Sequence, residues 1–445
     1  MDNDSINIRI EEDEGRHKKS GSKNIKREHL FSIRRLFTKI NQWRVRDRKL
    51  GTMDLPFFFI VTILLVMGLI MMFSASYAWA ISEGEKGIYY AEKQMKFALF
   101  GIAAMFILSK VDYHFWKNRI FSVGIYVVGI LLLLMVKFTP LGKSHNEARR
   151  WLGFGNFEFQ PSEIMKFAMV ILFATLIVNK PKSLKSKKGL IPYLAFLAPV
   201  IGLLMLQPHL SCSILICLIC FTLIYVGGIR HIDLAIIGAG SAVLIAGAVC
   251  WKIFVEGFTY FEKRFQSWLD PFSDITGDTW QTYQSLVAIG SGGFFGMGLG
   301  NSRQKFQYLP ESKNDFVFSI VCEELGFVGA VTVILLFAFL VFRGFYIASK
   351  SPDKFGMLVC IGITVQVGFQ AFLNIAVVSN LIPNTGISLP FFSYGGTSLM
   401  MLLGEMGIIL NISRHMTETA EEENALKRVD NLKQAKKRIS RTASK

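Results

Sequence analysis

The sequence predicts an all-α, polytopic integral membrane protein of about ten transmembrane helices, with a large extracellular loop between spans 7 and 8. Three observations lead there. The 445 residues are 51% hydrophobic with a mean hydropathy of +0.39, and a soluble domain of this size would carry fewer and shorter apolar runs. Those runs recur at about the 20 residues a helix needs to cross a bilayer. The 49 Lys and Arg outnumber the 33 Asp and Glu, and the excess sits mainly in the two tails and one short loop. Positive charge so placed marks the cytoplasmic face of a membrane protein; no nucleic-acid partner is expected.

Taken in order, residues 1–54 form a cytoplasmic tail, acidic from Glu11 to Glu14 and basic thereafter. Leu30, Ile33, Phe37 and Ile40 recur at helical spacing among Arg34, Arg35, Lys39 and Arg44. That pattern fits a helix lying on an anionic membrane surface, and equally a basic arm that obeys the positive-inside rule. No apolar segment precedes a small-residue cleavage site, so no removable signal peptide is expected. The membrane domain runs over 55–414, with spans near 56–79, 94–110, 120–138, 162–179, 191–207, 212–229, 233–254, 315–342, 356–376 and 393–412. Five lysines in the loop 179–189 fix it as cytoplasmic. Alternation then puts both tails inside and loops 80–93, 139–161, 255–314 and 377–392 outside. Residues 415–445 are a second charged cytoplasmic tail able to meet lipid head groups or partners.

Several residues stand out along the way. The loop 143–163 carries Arg149 and Arg150, fixed cations in a disfavoured place, and leads to Glu163 and Lys166, three residues apart on one helix face. These give either an interfacial salt bridge or a cradle for a phosphate group. His209, at the outer end of the fifth span, reads as a solvated loop histidine. Phe258, Phe261, Phe265 and Trp268 suggest a helix along the outer surface that Pro271 ends; Asp270, Asp274 and Asp278 then read as turn formers rather than metal ligands. Gln366, Gln370 and Asn374 line one face of the ninth span as helix–helix hydrogen-bonding groups. Pro390, Gly395 and Gly396 allow a broken start to the last span with exposed backbone N–H groups, and Glu405 within it calls for a basic partner or a wet position. The six cysteines sit in or beside apolar segments, without metal spacing, as small buried hydrophobes.

The stretch Trp280–Gly326 is unlike the rest. Its first half has glycines at 290, 292, 293, 296, 298 and 300; its second half places Glu311 and Asp315 directly before an apolar run. Such a segment reads as irregular backbone that dips toward the bilayer and returns, tolerated only where protein covers it or a wet cavity adjoins it. An acid there is a functional candidate. With Arg150, Lys166, Arg303 and Lys305 as nearby cations, Asp315 suits removal of a hydroxyl proton while a phosphate or diphosphate departs. The same layout suits a lipid-phosphate binding protein or a transporter.

Three blocks carry a resemblance. YQSLVAIGSGGFFGMGLG with YLPESKNDFVFSIVCEELGFVG, RRWLGFGNFEFQPSEIMKF and NLIPNTGISLPFFSYGGTS together resemble the SEDS family, which includes FtsW, RodA and SpoVE, over roughly 54–414. The long N-terminal tail and the block at 311–330 look most like the FtsW branch. The resemblance implies a peptidoglycan glycosyltransferase that polymerises lipid II at the outer face of a bacterial cytoplasmic membrane and releases undecaprenyl diphosphate. It implies Asp315 as catalytic base, with Arg150, Lys166, Glu311, Gln284 and Ser393 as substrate-binding candidates. It leaves Mg2+ or Mn2+ open as cofactor and assigns no metal ligand. It also implies a class B penicillin-binding protein as partner within the division or elongation machinery. His209, Ser211, Asn380 and Asn384 depart from the family pattern. A lipid II flippase and a non-catalytic division scaffold are the rival readings.

Overall fold

The computed structural model describes residues 51–145, 148–154, 157–256 and 259–416. The surface helix anticipated within residues 1–54, the C-terminal tail and Phe258 lie outside the described residues.

Helices stand at all ten expected places. They are α1 (Leu55–Ser82), α2 (Tyr89–Leu108), α3 (Arg119–Phe138), α4 (Pro161–Asn179), α5 (Lys187–Leu206), α6 (Leu210–Gly227) and α7 (His231–Glu256). Two shorter helices, α8 (Thr259–Leu269) and α9 (Trp280–Ser291), follow in the long loop, before α10 (Val317–Ser349), α11 (Lys354–Val378) and α12 (Gly396–Met416). Among the described residues eight of these are long and apolar enough to cross a membrane. Of the expected spans, α2 falls outside that set, with Glu92, Lys93 and Lys96 in its first turns, as does α7, whose described apolar part is His231–Val243.

Local chemistry sets the ends. Asp54 caps α1 by accepting the Phe57 N–H at 2.9 Å, and Asp353 caps α11 by accepting that of Gly356 at 3.0 Å. Pro161 opens α4, where a missing N–H costs nothing. Gly228, with φ 103°, closes α6 in the left-handed region. The buried centre is made by α4, α11 and α12; α1, α3 and α10 turn large apolar side chains such as Phe59, Leu131 and Phe342 outward, as lipid-facing helices must.

The all-α expectation needs one addition. The loop before α4 folds into a three-stranded antiparallel sheet of β1 (Gly142–His145), β2 (Ala148–Phe154) and β3 (Phe157–Phe159), with Leu152 opposite both Gly142 and Phe159. Arg149 anchors it, donating from Nε to the Gly142 carbonyl at 2.9 Å and from Nη2 to that of Thr139.

The glycine-rich stretch does fold back on the bundle. Gly326 breaks α10 with φ 67° and ψ −165°, and the carbonyls of Glu323 and Glu324 accept the N–H groups of Met297 and Gly298 at 2.9 and 3.0 Å. A Cβ on Gly326 would stand 2.2 Å from the Gly296 nitrogen, so the two strands of backbone meet only because both residues lack one. Beneath them Glu324 accepts Ser74 Oγ at 2.6 Å and the Lys305 ammonium at 3.1 Å, while Glu323 accepts Ser302 Oγ at 2.5 Å and the Arg303 N–H at 2.9 Å.

The loops sort into two groups. Asp54 pairs with Arg343 at 2.7 Å and its N–H reaches Ser413; Tyr113 Oη donates to Asp353 at 2.7 Å; Lys354 reaches the Gly227 carbonyl at 3.1 Å. At the other end Arg264 Nη1 donates to the Asn384 carbonyl at 2.6 Å, Asn380 to that of Trp268 at 3.1 Å, and Ser211 to that of Thr385. The partition is the one that alternation from the lysine loop requires.

Candidate active site

Asp315 lies two residues before α10, outside the spanning helix, in a turn that begins at Glu311. Asn374 of α11 donates through Nδ2 to the Asp315 carbonyl and to the Ile387 carbonyl, both at 2.6 Å. Ser393 accepts the Leu389 N–H and donates to the Asn314 carbonyl, both at 2.7 Å. These bonds fix the backbone around the acid. Its carboxylate faces Gly386: Asp315 Oδ2 and Arg150 Nη1 lie 3.3 and 3.9 Å from where a Cβ on that glycine would sit. With φ 66° the position suits glycine, and the missing side chain leaves the space between acid and guanidinium clear.

The electrostatics of that space follow. Burial, and the charge of Glu311, push Asp315 up to about 6; the guanidiniums of Arg150 and Arg264 pull against them. An acid so poised is ionised at neutral pH yet basic enough to take a proton. Arg150 is itself held from Nη2 by the Pro208 carbonyl. Glu311 accepts Asn314 Nδ2 at 2.5 Å. Gln284, on α9, is buried beside Ser285, which bridges to Ser319 at 2.9 Å and to the Val378 carbonyl at 2.7 Å.

Lys166 sits deeper. It is buried in α4, paired with Glu163 at 2.8 Å and donating to Gln370 Oε1 at 2.9 Å, while Glu163 also accepts Ser398 Oγ at 3.2 Å. The i, i+3 pair read from the sequence is therefore made. Lys305 is not brought to Asp315, because Glu324, Ser74 and the Gly300 carbonyl hold its ammonium. Arg303 is exposed, and its backbone caps onto Glu323.

Other expectations are corrected or made concrete. His209 is buried, not solvated, with Nε2 2.8 Å from the Gln160 side-chain nitrogen. Burial, reinforced by Arg150 and Lys166, pushes its pKa well below the usual value and keeps it neutral. Glu405 accepts Gln366 Nε2 at 2.8 Å, and the Lys166 ammonium is the basic group whose charge reaches it. The Gly395 N–H is not left exposed, since Gln94 Oε1 accepts it at 3.2 Å. Gln366 and Gln370 do act as helix–helix bonding groups, to Glu405 of α12 and Lys166 of α4, whereas Asn374 bonds the turn and loop carbonyls of Asp315 and Ile387 instead. α8 ends before Pro271, and Asp274 accepts the Asp278 N–H at 3.0 Å as a turn former. Cys212, Cys217, Cys220, Cys322 and Cys360 are buried free thiols.

Sequence reasoning missed Arg264. It lies in an amphipathic surface helix where one more arginine carries no signal, and only the fold turns it toward Asn384 and Asp315.

A helical bundle with glycine-rich backbone folded back on it and an acid set against two guanidiniums at one end defines a polytopic membrane protein with an ionic site at the end of its spans. The particular family follows from comparison: the chain belongs to the SEDS family, matching the FtsW, RodA and SpoVE group described as "Cell cycle protein" over residues 55–418. It is 40% identical over 366 residues to stage V sporulation protein E of Bacillus subtilis, covering 81% of this chain and 97% of the relative. It is 34% identical over 374 residues to the probable peptidoglycan glycosyltransferase FtsW of Geobacter sp. strain M18, covering 84% of this chain and all of the relative. Among solved structures, it is similar to a chain of a peptidoglycan synthase complex that coordinates polymerisation and crosslinking, with a TM-score of 0.67, 26% identity and 82% and 98% of the two chains covered. Thermus thermophilus rod shape determining protein RodA follows with a TM-score of 0.58, 25% identity and 81% and 97% covered.

Proposed function

We propose that this protein is an inverting peptidoglycan glycosyltransferase that polymerises lipid II at the outer face of a bacterial cytoplasmic membrane, with both termini in the cytoplasm. The observation that carries the reading is Asp315, raised to about 6 by burial and set across an open glycine position from Arg150. In its ionised form Asp315 takes the proton from the 4-hydroxyl of the acceptor GlcNAc. The oxygen attacks the anomeric carbon of the donor MurNAc, and undecaprenyl diphosphate leaves. One displacement turns the α linkage into β, so no covalent enzyme intermediate is needed. A positioned base contributes about 10²–10⁴-fold. Arg150 and Arg264 meet the charge that gathers on the departing diphosphate. Lys166, neutralised by Glu163, acts from behind by fixing α4 against α11.

The donor set around Asp315 does not fit a resident divalent metal: among the described residues no group of three or more His, Cys, Asp or Glu side chains could hold one. Mg2+ or Mn2+ would enter on the substrate diphosphate, and no step here uses it. We place the enzyme at the division septum with a class B penicillin-binding protein that crosslinks the strands, because this chain's blocks resemble the FtsW branch and it is similar to a chain of a synthase complex. The 40% identity to stage V sporulation protein E favours a second reading, wall synthesis during sporulation. Deleting the gene separates them by whether vegetative division or spore formation fails.

The enzymatic test is to supply lipid II to the purified chain with its partner and look for glycan strands, with Asp315→Ala as control. Strands made equally by the variant would remove the proposed base; lipid movement across vesicles without strands would favour a flippase.

A further inference from the structure

The turn Glu311–Phe316 that carries Asp315 belongs to no helix or strand, and Glu311 holds φ 56°, in the left-handed region that a residue with a side chain adopts at a cost. Such a turn keeps one geometry only if its surroundings over-determine it. They do, residue by residue. Trp79, in the last turn of α1, donates from Nε1 to Ser312 Oγ at 2.8 Å. The Lys313 carbonyl accepts the Tyr394 N–H at 2.8 Å, and the Asn314 and Asp315 carbonyls are held by Ser393 and Asn374.

The Lys313 side chain adds an ionic tie to these. Its ammonium stands 3.3 Å from Glu83 Oε1, 3.8 Å from the centre of the Tyr90 ring and 4.9 Å from that of Trp79. Tyr90 in turn donates to Glu83 and packs edge-on against Tyr394, 5.0 Å between ring centres. With 12% of its side chain exposed, Lys313 is well shielded from water, and a cation between a carboxylate and two ring faces is worth more there than at an open surface. The contact joins the turn to the end of α1 and the start of α2, neither of which bears a residue of the site.

We propose that Lys313 is a positioning residue for the glycosyl transfer: seated on Glu83 and the Tyr90 and Trp79 rings, it holds the Asp315 carboxylate on the line of the acceptor hydroxyl. The proposal rests on the reading of Asp315 as general base. Lys313 touches no reacting atom; it fixes where the base stands. Misplacement of a base by about 1 Å can lower a rate by about 10²-fold, so a loosened turn shows in kcat before it shows in binding.

The experiment uses the full chain with its partner and lipid II, and compares kcat, KM and melting temperature for Lys313→Met, Lys313→Arg, Glu83→Gln and the Glu83→Gln/Lys313→Met double variant. The expected result is a kcat about tenfold lower for Lys313→Met with KM within about twofold, and recovery to within about threefold of the parent in Lys313→Arg. Glu83→Gln lowers kcat in the same sense, and the double variant is no slower than Lys313→Met, because both changes undo one tie. Parental kcat in Lys313→Met, failure of arginine to restore it, or multiplied losses in the double variant would each overturn the proposal. Should Lys313→Met not fold, Glu83→Gln carries the test: its side chain is 43% exposed, and parental kcat there refutes the tie. The control Asp315→Ala separates the two readings. An active Asp315→Ala removes the base and the positioning role together; an inactive one beside an unaffected Lys313→Met removes only the latter.

Discussion

Replacing Asp315 by asparagine should cost activity and raise stability at the same time. The carboxyl moves from an ordinary 3.8 to about 6 in the folded protein, chiefly through burial and then through Glu311. Folding therefore favours its neutral form. Stability from this group is complete below 3.8, is lost as pH rises toward about 6, and stays lost above. At about 1.36 kcal/mol per pKa unit, holding the ionised acid in place costs about 3 kcal/mol at pH 8. Asparagine keeps the shape and never ionises, so Asp315→Asn should melt higher than the parent at pH 8 and converge with it near pH 4. Strand synthesis from lipid II should fall by about 10²-fold or more, the contribution of a positioned base. In the parent the rate should fall as pH drops through about 6, where the base becomes protonated, and the residual rate of the variant should lack that limb. A variant that polymerises at the parental rate, or whose melting temperature follows the same pH curve as the parent, would refute the reasoning.

Arg150→Ala removes a cation that pulls the Asp315 pKa down, so the acid limb of the rate profile should move to higher pH, and the loss of a charge-assisted contact of about 1.5–3 kcal/mol should lower the rate about tenfold or more in steady-state assays. Lys166→Met strands Glu163 in the bundle and should destabilise by about 3–5 kcal/mol in thermal unfolding, with Glu163→Gln/Lys166→Met regaining most of it. Gly326→Ala forces a Cβ to 2.2 Å from the Gly296 nitrogen at φ 67°; a loss of about 2 kcal/mol or more should appear as a lower melting temperature, and an unchanged one would mean the re-entrant backbone can part from α10.

Four positions where the sequence leaves the family pattern acquire a use in the fold. His209 meets Gln160, Ser211 donates to Thr385, Asn380 to Trp268, and Asn384 to Gln281 at 3.0 Å. Each bond joins two segments far apart in the chain, by 49 to 174 residues. Read along the chain, these residues looked only like departures.

The sequence alone determined the membrane class, the places of the helices, the division of loops into two ends and the shared face of Glu163 and Lys166, and it offered Asp315 as the candidate acid. All of these rest on signals that are local: apolar run length, the excess of lysine in one loop, a three-residue spacing, an acid before an apolar run. Only the tertiary structure decided which cations stand near that acid. Lys305, ten residues before Asp315, is withdrawn by Glu324, whereas Arg264, far earlier in the chain, is delivered beside it. Asn374 holds the Asp315 carbonyl from 59 residues away. Such partners are set by how helices pack and by where Gly326 lets the backbone turn, and neither has a period that can be read along a chain.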